Sequence, residues 1–124
     1  MRTLRLPQAL ALAGFCVVVA QPTVAAADDY YGAIAFSTAS GANGYAQDFD
    51  SQEGAEERAL QECGSGCEVV VWFKNACGAL AVGEGNGYGT AWAGNREAAE
   101  DGANRVCAKN AGNCAVKAWA CTTR

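Results

Sequence analysis

The sequence predicts an α+β domain built from two pseudo-symmetric β-β-α-β repeats, mostly antiparallel sheet with two helices, stapled by disulfides. Three observations carry that prediction. The stretch YGAIAF at 31–36 returns as CGALAV at 77–82, a helix-like apolar periodicity follows each copy, and six cysteines remain once an N-terminal leader is set aside.

The leader comes first in the chain. Arg2 and Arg5 open it, Leu10 to Ala20 form an apolar run, and Val24-Ala25-Ala26-Ala27 offers the small residues of a cleavage site, so residues 1–26 read as a signal peptide. The run is too short to span a bilayer and is interrupted by Gln21 and Pro22, which argues against a membrane anchor. Cys16 lies inside the leader and is discarded with it. Residues 27–124 are then a single secreted or periplasmic domain, with repeats at about 31–74 and 77–121.

Without Arg2 and Arg5 the chain's 9 basic residues fall to 7 against 13 acidic ones, leaving a formal charge of −6. That balance argues against nucleic acid and an anionic membrane as partners, since both repel a negative surface, and it fits plain solubility; a monomer is expected.

The repeat fixes the order of elements. Gly32-Ala33-Ile34-Ala35-Phe36 aligns with Gly78-Ala79-Leu80-Ala81-Val82, each a short first strand. Asn43-Gly44-Tyr45 aligns with Asn86-Gly87-Tyr88, and the Asn-Gly pairs predict tight hairpin turns followed by return strands at 45–49 and 88–93. Phe49 aligns with Trp92. Ser51 and Asn95 are matched helix caps with Glu53 and Glu97 in the first turn. Ala55, Ala59, Leu60 and Cys63 share one face of the first helix; Ala99, Ala103, Val106 and Cys107 share one face of the second. Small side chains on both faces predict helices seated close to the sheet. Gly64 and Gly112 break the helices. Each half closes on its most apolar strand, 68–73 and 115–121, and the unalternated Val69-Val70-Val71-Trp72-Phe73 is expected to be covered on both faces.

Six cysteines allow fifteen pairings, which sequence alone leaves open. The duplication narrows them. Cys63 with Cys67 and Cys107 with Cys114 sit at matched positions between helix and strand, whereas Cys77 and Cys121 align with Tyr31 and Lys74 and are most simply each other's partner. Zinc is the competing reading of these thiols. The spacings are loose for it, and the chain has no histidine, so no metal or other cofactor is expected.

The segments YGAIAFS, AEERALQECGSGCEVVVWFKNACGALAVG and AAEDGANRVCAKNAGNCAVKAWAC together resemble the exported bacterial family catalogued as domain of unknown function 4189. The likeness spans Tyr31 to Cys121. It implies a small secreted or periplasmic domain, and it brings no activity and no catalytic residue with it.

The absence of histidine excludes Ser-His-Asp and Cys-His nucleophile systems. Asp48 and Asp50 are the one candidate carboxylate pair, for glycoside cleavage, though acidic residues before a helix are also ordinary capping features. The run Gly83-Glu84-Gly85-Asn86-Gly87-Tyr88-Gly89 has the look of a phosphate-cradling loop, but a strand rather than a helix follows it. Tyr30, Tyr31, Tyr45, Tyr88 and Trp92 lie near the hairpins as a candidate stacking platform, with Tyr31, Tyr45, Tyr88 and Trp92 as its binding surface; cross-strand packing is the plainer role for such residues. Trp72 and Trp119 read as core or sheet-face anchors. Glu53, Glu56, Glu57 and Glu62 make the first helix acidic, a solvated face or the docking side for a basic partner. The expectation is a non-catalytic binding module for a protein or glycan of the envelope or extracellular space, with a carboxylate-dependent cell-wall hydrolase as the alternative.

Overall fold

A computed structural model describes residues 13–20 and 28–123. The expected signal peptide and its cleavage site therefore lie outside the described residues apart from 13–20, where Cys16 is exposed and joined to no other cysteine. The chain runs β1 (Tyr31–Phe36), β2 (Asn43–Phe49), α1 (Gln52–Cys63), β3 (Glu68–Lys74), β4 (Cys77–Val82), β5 (Tyr88–Ala93), α2 (Arg96–Ala108) and β6 (Ala115–Cys121), with a short 3-10 turn, Glu84–Asn86, between β4 and β5. This is the β-β-α-β unit twice. Each unit forms its own three-stranded antiparallel sheet, in the orders β2-β1-β3 and β5-β4-β6.

The first strand of each repeat is the middle strand of its sheet, and its sequence follows from having two covered faces. In β1, Ala33 and Ala35 turn to α1 while Ile34 and Phe36 turn to the other sheet; in β4, Ala79 and Ala81 turn to α2 while Leu80 and Val82 turn inward. The result is four layers, helix, sheet, sheet and helix. The central layer joins Ile34, Phe36, Phe73, Leu80, Val82, Ala118 and Ala120 across the two sheets, and burying each of its large side chains contributes about 1.5 to 3 kcal/mol. Neither half possesses this core alone.

Phe73 explains why glycine is the second residue of both first strands. Its ring lies across Gly32 of β1 and Gly78 of β4, so close that a Cβ would sit 2.2 Å from ring carbon at Gly32 and 2.4 Å at Gly78. A second pair of glycines seats the helices: a Cβ on Gly44 would stand 2.4 Å from the Cys63 nitrogen, and one on Gly89 would stand 2.1 Å from the Cys107 nitrogen. Small residues meet small residues at both helix interfaces, as Ala55, Ala59, Ala99 and Ala103 are wholly buried.

The halves match in finer detail as well. Ser51 accepts from the Gly54 N–H and Asn95 from the Ala98 N–H, each capping its helix. Both closing strands carry a bulge at the same place, opposite Ile34/Ala35 and opposite Leu80/Ala81, leaving Val70 and Lys117 as the extra residues. Cys63–Cys67 and Cys107–Cys114 tie each helix end to the next strand. Cys77–Cys121 bridges directly paired residues of β4 and β6.

Four sequence expectations are corrected. Asn43-Gly44 is not a turn but the start of β2; the chain reverses earlier, where the Ser37 and Ala42 backbones pair and Gly41 takes φ +78°. The second hairpin turns on Gly85 and Asn86, at φ +65° and +59°, one residue before the expected Asn86-Gly87. Strand register then equates Gly44 with Gly89, not with Gly87, and Phe49 with Ala93, not with Trp92. Finally, β3 is an edge strand. Val69, Val70 and Val71 are only partly covered, and Trp72 is 45% exposed.

Candidate functional site

Stacking two three-stranded sheets places edge strands along two seams, β3 beside β5 on one and β2 beside β6 on the other. On the first seam, Trp72 of β3 and Trp92 of β5 line a groove of about 380 Å³ together with Phe73 and Lys74. Both indoles are open to solvent, 45% and 65% exposed, where the core side chains beneath them are almost completely covered. An exposed pair of large aromatic faces over a packed floor is the arrangement that stacks a sugar ring or anchors a partner protein.

The polar surroundings of this groove come from the N-terminal edge of the domain. Lys74 pairs with Asp29 at 3.1 Å and lies over the Tyr31 ring, 5.9 Å from its centroid. Asn75 takes a left-handed conformation that lets it clamp the incoming chain: its side chain donates to Asp29 Oδ1, its Oδ1 accepts from the Tyr30 N–H, and its own N–H donates to the Tyr30 carbonyl. The Lys74 and Asn75 hydrogen bonds hold the Asp29 carboxyl below the usual carboxylate range, and Asp29 in turn raises the Lys74 ammonium. Tyr31 stands beside Trp72, with ring centroids 6.4 Å apart at a tilt of 33°.

The second seam carries a related groove of about 370 Å³, lined by Asn43, Tyr45 and Gln47 of β2 and by Lys117, Ala118 and Trp119 of β6. Trp119 matches Trp72 in register, each opposite the first alanine of its middle strand, Ala79 and Ala33. Here the indole is already engaged. The Arg96 guanidinium lies 3.6 Å from its ring centroid and is paired with Glu100.

The candidate aromatic residues therefore divide among three places. Tyr31 joins Trp72, Trp92 lines the first groove, Tyr45 lines the second, and Tyr88 packs edge-on against Phe36 at 5.3 Å as part of the inter-sheet core. The residue that completes the first groove, Trp72, was read from sequence only as an anchor. The missing signal was topological, because only the strand order reveals β3 as an edge.

Of the candidate carboxylate pair, Asp48 is engaged by the C-terminal segment. Asp48 takes φ +60°, and its two oxygens accept from the Thr123 N–H at 2.8 Å and the Thr123 hydroxyl at 2.7 Å, so it fastens the C-terminal segment across to β2. The Gly83–Gly89 run holds the 3-10 turn Glu84–Asn86 and the start of β5, without the helix N-terminus that a phosphate loop uses. Among the described residues, no group of three or more His, Cys, Asp or Glu side chains is placed to hold a metal ion, and no helix is long and apolar enough to cross a membrane. Three disulfides are compatible with an oxidising compartment outside the cytoplasm.

Comparison with known proteins matches this architecture to a sequence family. No curated protein matches the chain at significant similarity. Among solved structures, the NMR structure of Rv1813c from Mycobacterium tuberculosis is similar, with 34% sequence identity, a TM-score of 0.58 and coverage of 75% of each chain. The family profile described as domain of unknown function (DUF4189) matches residues 31–121, the whole span from the first residue of β1 to the last of β6. The chain belongs to the DUF4189 family.

Proposed function

We propose that the chain is a small exported, non-catalytic binding module, acting in the periplasm or outside the cell, and that it takes a protein or glycan ligand at the Trp72–Trp92 groove. The observation that carries this reading is that two exposed indoles, Trp72 and Trp92, share one groove over the buried Phe73, Trp92 being 65% exposed. Exposed apolar area of this kind opposes solubility, and a ligand that covers it recovers the lost hydrophobic free energy. Disulfides brace both halves of the domain that carries the groove, and a braced scaffold lowers the entropic cost of binding.

The hydrolase alternative, with Asp48 and Asp50 as acid and base, would require Asp48 to release Thr123 before it could act. The test uses immobilised protein and envelope extract. Wild type should retain a ligand that the Trp72→Ala/Trp92→Ala variant, with its disulfides intact, does not. Equal retention by the two proteins would refute the groove as the binding surface, and peptidoglycan cleavage lost in Asp48→Asn would favour the hydrolase.

A further inference from the structure

The duplication supplies an internal comparison for the first seam. In the second repeat, the matched tryptophan is capped by a cation from its own helix: Arg96, first residue of α2, lies on Trp119 and is held there by Glu100 one turn on. The first repeat has the same tryptophan, Trp72, and the same glutamate, Glu56, at matched positions. It lacks the cation. Gln52 stands where Arg96 stands, and its amide donates to Glu56 at 2.7 Å instead of covering the indole. Trp72 keeps Tyr31 at its side, tilted rather than stacked.

We infer that Trp72 receives an arginine side chain from a basic protein partner, which docks along the α1 side of the first seam and supplies in trans the guanidinium that Arg96 supplies in cis. The inference rests on the binding-module reading and gives the partner a chemistry. Charge complementarity selects the sign. Glu53 and Glu57 are exposed on α1, within a chain of net negative charge. The nearby basic groups are already matched, Arg58 to Glu62 at 2.8 Å and Lys74 to Asp29 at 3.1 Å. Planarity selects arginine over lysine, because a guanidinium stacks flat on an indole and can at the same time present N–H donors to a carboxylate.

Hexa-arginine amide is the probe, and the readout is the indole N–H resonance of each of the three tryptophans in the intact, oxidised protein. The peptide should shift Trp72 and leave Trp119, which is 40% exposed but already carries the Arg96 guanidinium on its ring. Hexa-lysine should bind about fivefold more weakly, the margin a well-placed stacked guanidinium supplies. Gln52→Arg places the missing cation in cis and should weaken hexa-arginine binding by at least about tenfold, whereas Gln61→Arg, which adds the same charge further along α1, should weaken it by less than about threefold through electrostatics alone. Unchanged Trp92 and Trp119 resonances report that the variants remain folded. A Trp72 signal unmoved by the peptide, or equal losses in the two arginine variants, overturns the inference. The groove itself is judged separately, by retention of the envelope ligand in the Trp72→Ala/Trp92→Ala comparison.

Discussion

Opening the Cys77–Cys121 bridge should destabilise the protein far more than opening either of the other two. The bridged residues already face each other across the β4–β6 ladder, so the bond adds little to the folded contacts and acts mainly on the unfolded chain. In the chain-entropy treatment its sequence separation of 44 corresponds to about 4 kcal/mol at 25 °C, against about 1.9 for Cys63–Cys67, with a separation of 4, and about 2.4 for Cys107–Cys114, with a separation of 7. For a domain of this size about 4 kcal/mol corresponds to a fall in Tm of upwards of about 15 °C. The measurement is urea unfolding followed by circular dichroism for three double-alanine variants, one per bridge. The Cys77→Ala/Cys121→Ala protein should also show a steeper urea dependence, because its unfolded chain expands more. If removing Cys63–Cys67 costs as much as removing Cys77–Cys121, loop length is not the source of the stabilisation and the reasoning fails.

Two further outcomes follow from the geometry. Gly89→Ala drives a Cβ to within 2.1 Å of the α2 backbone and should cost about 1 to 3 kcal/mol, while Gly85→Ala meets no atom within 4 Å and bears only the strain of φ +65°, about 1 kcal/mol; equal melting temperatures for the two would place the helix wrongly. The Asp29–Lys74 clamp has a depressed folded-state carboxyl, so its contribution is present above the ordinary carboxylate range and is lost as pH falls through the lower folded value. An NMR titration should therefore find Asp29 titrating below a reference peptide and Lys74→Ala moving it back up, and a midpoint indifferent to Lys74 would exclude the clamp.

Much of the fold was legible because local chemistry and the global repeat agreed. Ser51 and Asn95 announced helices where the structure has them, and the alternation of Ala with Ile, Leu, Phe and Val in the first strands encoded two unlike covered faces. The cysteines carried the same information twice, since the two without repeat counterparts are the pair that joins β4 to β6. What misled was the Asn-Gly signal. Gly44 is glycine because the α1 backbone passes over it, not because the chain turns there, and sequence does not separate these two demands. The apolar run of β3 failed for a related reason: Val70 is the bulged residue, so the run needs one inward face and one partly open face rather than two buried ones. The groove was the least legible feature, since Trp72 and Trp92 belong to different repeats and meet only when the sheets stack.

Within a duplicated domain, agreement and divergence between matched positions answer different questions. Gly32 and Gly78 agree because Phe73 presses on both; Gly44 and Gly89 agree because a helix crosses each; packing accounts for these without any appeal to a ligand. Divergence needs a separate cause at each position. Cys77 and Cys121 replace Tyr31 and Lys74 to form the long staple. Lys117 replaces Val70 at the bulge of the second seam, where a charge on an edge strand discourages pairing with another chain. Arg96 replaces Gln52 and covers Trp119. In each case the second seam gains a bond, a charge or a cap where the first seam has Tyr31 and Lys74, Val70, or a Trp72 without a cation. The core is indifferent to that difference, because Trp72 and Trp92 lie outside the buried set. An asymmetry that folding does not require, set between two otherwise matched seams, is what the proposed binding surface on the first seam would account for, and the Trp72→Ala/Trp92→Ala comparison decides it.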